Sequence, residues 1–321
     1  MSSRRRGAAG EPGTRGDRRA AADGPARIWA MGGGKGGIGK TFFAANLAAV
    51  AARAGRRVIG IDADLGGANL HTALGVRGGS RINLSDFFED RVVDLDKAAL
   101  ETPIPGLRLI LGALGNASDS ETTREQRIHL LDAARRLPAD VIVLDLAAGM
   151  ERSTLDFFVS GDSSFIVTTP EPTAVENAYA FLRSAFYRRL GHAIAASPLR
   201  EEVRAMMRQR NDRDIHSPLD LMDEVDRLDP VEGGRFRAAI SGFRPRLLLN
   251  QVRNSDDVKL GFSIHNVCRK YFGIDVDYVG YVNYDDAVWR SVKERRPLVL
   301  GHPQSDSSIY IRRIAKKLLE D

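Results

Sequence analysis

The densest chemistry in the chain lies between Gly32 and Thr41, which read Gly-Gly-Gly-Lys-Gly-Gly-Ile-Gly-Lys-Thr. From Gly34 to Thr41 they satisfy G-x-x-x-x-G-K-[ST], the spacing of a phosphate-binding loop. Glycines there let the backbone turn with its N–H groups facing inward and leave room for phosphate oxygens. The start of a following helix adds partial positive charge. Lys40 can neutralise β and γ phosphates, and the Thr41 hydroxyl can ligate Mg²⁺. Three carboxylates complete the set. Asp62 and Asp64 stand one residue apart at the end of an apolar run, where alternate strand residues share a face. Asp145 closes the run Val141-Ile142-Val143-Leu144 and can accept from Thr41 or from a Mg²⁺-bound water. The competing role for each acid is to close a turn or cap a helix.

Such residues need strands and helices to hold them. Ile28 to Met31 is long enough for a buried strand, and the Ala- and Leu-rich stretch from Thr41 to Ala54 reads as a helix. Strand, glycine loop and helix is the setting the motif requires. Further strands are expected at Arg56–Ile61, Leu107–Leu111, Asp140–Asp145, Ser164–Thr169, Arg246–Asn250 and Asp277–Val282. Their uninterrupted apolar runs suit a parallel sheet covered on both faces. Between them the pattern predicts a short helix from Ser85 and an amphipathic one over Thr122–Leu137, with Ile128, Leu130, Leu131 and Leu137 as its apolar positions. Thr173 and Glu176 have capping-box spacing for a helix that runs to about Leu190. Residues 191–244 are more charged, with helices expected at Glu201–Arg210 and Leu219–Leu228, and read as a surface insertion. Asp256 to Tyr271 looks helical. Ser305 to Leu319 is a final amphipathic helix, with Ile311, Ile314, Ala315 and Leu318 on one side and Arg312, Arg313, Lys316 and Lys317 between them.

Composition narrows the class. With 321 residues and 43% hydrophobic content the chain can bury a sizeable core. A lone cysteine, Cys268, excludes a disulfide framework and a C-x-x-C metal site within one subunit. No apolar run reaches membrane-spanning length and no signal-peptide core is visible, so a cytoplasmic location is expected. The net charge of +5 is uneven, because residues 1–26 carry six arginines against three acids. That stretch is expected to be a disordered tail before a single domain over 27–321.

Lys35, just after the first glycine of the loop motif, gives Lys-Gly-Gly-Ile-Gly-Lys-Thr, which resembles the deviant Walker A box of the ParA/MinD superfamily. The segment Asp62-Ala-Asp-Leu-Gly-Gly-Ala-Asn-Leu70 is similar to that of the FlhG branch, also called FleN or YlxH, which sits beside MinD. Thr168-Thr-Pro-Glu-Pro-Thr173 followed by Asn-Ala-Tyr-Ala points the same way. The likeness covers about residues 28–190 and 245–319.

This resemblance implies a three-layer α/β P-loop NTPase fold of the SIMIBI type, a mainly parallel twisted sheet with helices on both faces. It implies ATP and Mg²⁺ as cofactors, with Gly34, Lys35, Gly36, Gly37, Ile38, Gly39, Lys40, Thr41, Phe42 and Asn250 at the nucleotide. Asp64 is expected to position the attacking water, Lys35 to reach the partner subunit's phosphates, and Thr41, Asp62 and Asp145 to serve the metal. Leu146 to Glu151 takes the place of the second switch, and the loop from Asn283 to Val288 with Arg296-Pro297-Leu298 that of the purine side. Gln251-Val252-Arg253 does not make the guanine-selecting Asn-Lys-x-Asp, so ATP is favoured over GTP. The implied behaviour is a slow ATPase that dimerises with ATP, is stimulated by a partner, and controls the placement or number of a structure such as flagella. Implied partners are an FlhF-like GTPase, a flagellar switch protein or a transcription regulator, with peripheral membrane contact through the last helix as in MinD. A ParA-like ATPase that binds DNA non-specifically is the alternative, since the arginine tail and the basic last helix are available. Iron–sulfur carriers share the loop but need cysteines to bridge a cluster, and here Cys268 stands alone.

Overall fold

In the computed structural model, which describes residues 24–77, 82–112, 122–208, 215 and 217–320, the apolar runs become one eight-stranded sheet. The strands are β1 Arg27–Gly32, β2 Val58–Ala63, β3 Ala99–Glu101, β4 Leu107–Ile110, β5 Val141–Leu146, β6 Ser163–Thr168, β7 Arg246–Val252 and β8 Asp277–Asn283. Their order is β3-β4-β2-β5-β1-β6-β7-β8, and only the short edge strand β3 runs antiparallel. Buried strands with no polar face need cover on both sides, and the helices supply it.

Side chains of β1 alternate between the two layers. Trp29 and Met31 join the core beneath helix α1, Lys40–Arg53, whereas Ile28 and Ala30 face the opposite core. The α1 layer also holds α2 Leu70–Ala73, α11 Asp286–Lys293, α12 Leu298–Gly301 and α13 Asp306–Glu320. On the other side lie α3 Leu84–Phe88, α4 Arg124–Arg135, α5 Arg152–Ser160, α6 Pro172–Ala193 and α10 Ser255–Val267. Ile128, expected in the core, is 46% exposed; Leu130 and Leu137 carry the burial of that segment.

Three expectations change. Residues 191–244, expected as a surface insertion, add to the core where they are described. Beyond the end of α6 they fold into α7 Arg200–Arg208, α8 Pro218–Leu228 and α9 Pro230–Ser241, and Val203, Met206, Leu221, Met222, Val225 and Phe236 enter the main core. The Thr173–Glu176 capping box does not form. Pro172, which needs no N–H partner, takes the first helical position, so the helix starts before Thr173. The last helix turns its apolar side inward: Ile311, Ile314, Ala315 and Leu318 are buried in the α1 layer, so a membrane could reach them only if the helix undocked. No described helix is long and apolar enough to cross a membrane. The arginine-rich tail up to residue 23 lies outside the described residues, but Ala26 is buried and bonds to the carbonyl of Arg135 at 3.2 Å.

Helices α4, α5 and α6 meet at one ion. Asp156 accepts from Arg127 Nε at 2.8 Å and Arg188 Nε at 2.5 Å, and His192 Nε2 lies 3.0 Å away. Burial pushes the Asp156 carboxyl up, but His192, Arg188 and Arg127 outweigh it and hold it well below the usual carboxylate range. Arg127 is as deeply buried as its partner. Asp156→Ala leaves that guanidinium without its carboxylate and is expected to lower the unfolding free energy by about 3 kcal/mol or more. Urea denaturation checks this, and a loss under about 1 kcal/mol would mean the pairs behave as solvated ones.

Candidate functional site

The phosphate loop leaves β1 and re-enters the fold at Lys40, the first residue of α1. Gly39 has φ +102° and a Cβ there would lie 2.3 Å from Asn250 Nδ2, so both conformation and space demand glycine. Asn250, at the carboxyl half of β7, donates through Nδ2 to the carbonyl of Ile38 at 2.9 Å. This strand-end amide therefore buttresses the loop in the conformation seen. Lys40 is buried, with Nζ 3.4 Å from the carbonyl of Lys35. Burial lowers its pKa, while Asp145 and Asp64 pull it back up.

The acids stand on adjacent strands. Asp62 and Asp145 are register partners across the β2–β5 pair. Asp145 is buried, hydrogen-bonds the Thr41 hydroxyl, and its Oδ1 has no hydrogen-bond partner among the described residues. Burial first, then the Asp62 charge, pushes the Asp145 carboxyl up to about 8. Burial likewise pushes Asp62 up to about 6, against backbone N–H groups that pull it down. Asp62 accepts from Leu70 N at 2.9 Å and Asp64 N at 3.3 Å, so it starts α2 and fixes the turn behind it. Asp64 accepts from Gly67 N at 2.9 Å and Gly66 N at 3.3 Å. In this conformation both carboxylates serve the backbone of the segment from Asp64 to Leu70.

The residues present fit a divalent cation. A buried, unsatisfied carboxylate oxygen beside a threonine hydroxyl is a hard oxygen donor set that lacks its charge partner. No group of three or more His, Cys, Asp or Glu among the described residues makes an all-protein metal cage. That suits Mg²⁺, which keeps waters and is bound by one or two protein groups plus phosphates. Thr41 and Asp145 would hold it, and there it would supply charge neutralisation at the phosphates. Cys268 does not fit a cluster: it is buried, and desolvation pushes its thiol up to about 12.

Lys35 points elsewhere. Its Nζ lies 2.9 Å from Glu171 Oε2 and 3.3 Å from Thr173 Oγ1, at the start of α6. The loop after β5 touches the phosphate loop, with Gly149 N 3.4 Å from the carbonyl of Gly33. Phe42 lines a largely apolar cavity of about 260 Å³ with Thr41, Ala73, Val292 and Pro297. The purine-side loops meet where Arg253 lies 4.3 Å above the Tyr284 ring. Gly149 and Tyr284 fall in segments already expected near the nucleotide, whereas the Lys35–Glu171 and Arg253–Tyr284 contacts have no local signal in the sequence.

A glycine loop threaded between strand and helix, facing an acid on the neighbouring parallel strand, defines the class of P-loop nucleotide-binding domains. The comparisons narrow this. The model of the CobQ/CobB/MinD/ParA nucleotide-binding domain matches residues 29–298, and the chain belongs to that family. It is 28% identical over 296 residues to the antiactivator FleN of Pseudomonas aeruginosa, covering 92% of this chain and 86% of that one. It is 23% identical to the septum site-determining protein MinD of Bacillus subtilis over 89% of this chain and 86% of that one. Among solved structures, MinD with Mg-ADP from Pyrococcus horikoshii superposes with a TM-score of 0.63 at 20% identity, covering 91% of this chain and 96% of that one. At that identity the likeness shows the fold, the expected P-loop NTPase arrangement.

Asp62 and Asp145 hold protons in the folded chain at pH values where the unfolded chain, with carboxyls near 3.8, has lost them. Stability from this source falls as pH rises, through about 6 for Asp62 and about 8 for Asp145. Nucleotide- and metal-free protein is expected to melt a few degrees higher at about pH 5.5 than at about pH 8.5. Asp145→Asn should flatten the upper part of that slope in thermal melts. An unchanged slope would show that Asp145 is already ionised.

Proposed function

We propose that this chain is an ATP-gated switch: two copies close around ATP and Mg²⁺, hydrolyse slowly, and part. The observation that carries the reading is the resting place of Lys35. In the single chain it leaves its own phosphate loop and pairs with Glu171 through side chains 38% and 60% exposed. An ion pair that exposed holds its lysine by less than about 1 kcal/mol, so a phosphate of a second copy can outbid the carboxylate. Lys40 binds the phosphates in cis, and Thr41 with Asp145 serves the metal. Asp64 leaves its turn with Gly66 and Gly67 to orient the attacking water. Gly149 carries the presence or loss of the γ-phosphate to α5. Asn250 keeps the loop open for the base. Closing the dimer requires only that ATP bind the paired state more tightly than the single one.

The partner of the closed dimer is a protein that governs flagella or another positioned structure. Two comparisons support a protein target: the Pseudomonas relative is named an antiactivator, and one MinD-like neighbour is a MinC:MinD complex from Aquifex aeolicus. The inward-packed last helix favours this over a membrane target.

Light scattering with ATP and Mg²⁺ tests the switch. Wild type should double in mass. Lys35→Ala should bind ATP and stay single. Asp64→Ala should stay paired with hydrolysis down on the order of 100-fold. A Lys35→Ala dimer of normal strength would refute the cross-subunit role.

A further inference from the structure

The sheet has a second end. At the amino ends of β6, β7 and β8, away from the phosphate loop, lies a cleft of about 700 Å³. That volume lies within the range of small-molecule sites. Its walls come from the end of α5, from α6, from the turn between α9 and β7, from α10 and from the start of β8.

The cleft holds a cation that lacks a counter-ion. Arg189 is half-buried in its wall, with Nε donating to the carbonyl of Ala239 and Nη1 to that of Val159, each at 3.3 Å. No carboxylate lies within ion-pair distance of it among the described residues. The acids of the rim are already matched. Asp162 accepts from Ile28 N at 2.8 Å and pairs with Arg135 at 2.9 Å; Asp277 faces Lys317 at 3.6 Å; Asp275 faces Arg244 at 3.7 Å. Arg135 and Lys317 reach two of these acids from outside the cleft lining, and Arg244 takes the third, which leaves Arg189 without an acid of its own among the described residues.

Two further groups suit a ligand. The Tyr278 hydroxyl is buried in the wall and has no hydrogen-bond partner among the described residues. Desolvation pushes it up to about 12, so it keeps its proton to donate. Its ring lies so close to α10 that a Cβ on Gly261 would come within 2.3 Å of it, which fixes the position of the hydroxyl. Phe262 stands perpendicular to that ring at 5.1 Å between centroids and is 58% exposed at the cleft. An exposed aromatic ring, a guanidinium without a carboxylate partner and an unpaired donor lining one cleft invite a flat, anionic molecule.

We propose that this cleft is a second ligand site, which takes a small phosphate ester bearing a planar ring, of the size and chemistry of a nucleoside monophosphate. Arg189 binds the phosphate, Tyr278 donates to it or to the sugar, and Phe262 stacks on the ring. The site is separate from the phosphate loop and its occupancy does not depend on the switch.

Isothermal titration of the full chain carrying Lys40→Ala, which disables the phosphate loop, tests it with AMP, ribose 5-phosphate and inorganic phosphate as probes. AMP should bind one to one, about fivefold or more tighter than ribose 5-phosphate. Adding Arg189→Gln should weaken AMP about tenfold or more, and Tyr278→Phe several-fold. Should Arg189→Gln abolish the cooperative melt, Tyr278→Phe and the exposed Phe262→Ala decide alone. The proposal is overturned by no AMP binding up to about 5 mM, by AMP binding that none of these changes weakens, or by ribose 5-phosphate binding as tightly as AMP.

Discussion

Two carboxylates side by side at the carboxyl ends of β2 and β5 set the terms for the rest of the structure. Adjacent strands lie about 5 Å apart, and at an effective dielectric constant near 20 two full charges at that distance repel by about 3 kcal/mol. Asp62 spends its oxygens on the backbone N–H groups of Asp64 and Leu70, whereas Asp145 keeps one oxygen without a partner among the described residues. The sheet can hold this pair only because Lys40 and the Thr41 hydroxyl stand opposite and a proton can be retained. A divalent cation completes the charge pattern. The tension at the strand ends thus favours a cation at the site and makes it costly to leave bare.

The same strands couple distant parts. β5 leads into the loop that touches Gly33, β6 leads to Glu171, and β7 carries Asn250 under the loop at Ile38. Each groups one contact to the phosphate loop with one helix beyond it. Asp156 gathers α4, α5 and α6 into one unit, so a shift at the loop after β5 is carried by a block of helices rather than by one. Helices α7 to α9 belong to that block, because their apolar faces share its core.

Much of this was legible in the residues. The loop motif and the buried runs that end in Asp62 and Asp145 specify a parallel sheet and its working edge, because such runs have no polar face and each needs cover on both sides. What escaped was set by packing over long separations. Helix α9 has a local signal, Asp229 before Pro230, which accepts from Val231 N and Glu232 N. Its apolar positions are sparse, so periodicity does not mark it. Periodicity placed Ile128 in the core, yet the helix turns it outward while burying Leu130. The Lys35–Glu171 pair spans a loop and a helix start far apart in sequence, and no spacing rule links them. Asn250, expected at the base, also donates to the loop at Ile38, a contact visible only once β7 is seen beside the loop after β1.

The closing helix has a further consequence, for the order of assembly during synthesis. Helix α13 lays Ile311, Ile314, Ala315 and Leu318 over the flank of α1, which begins with Lys40 and Thr41. A ribosome releases the phosphate loop long before its cover emerges. Until then the α1 layer remains open on that side, and the nascent domain carries an exposed apolar seam, the kind of surface that folding helpers grasp.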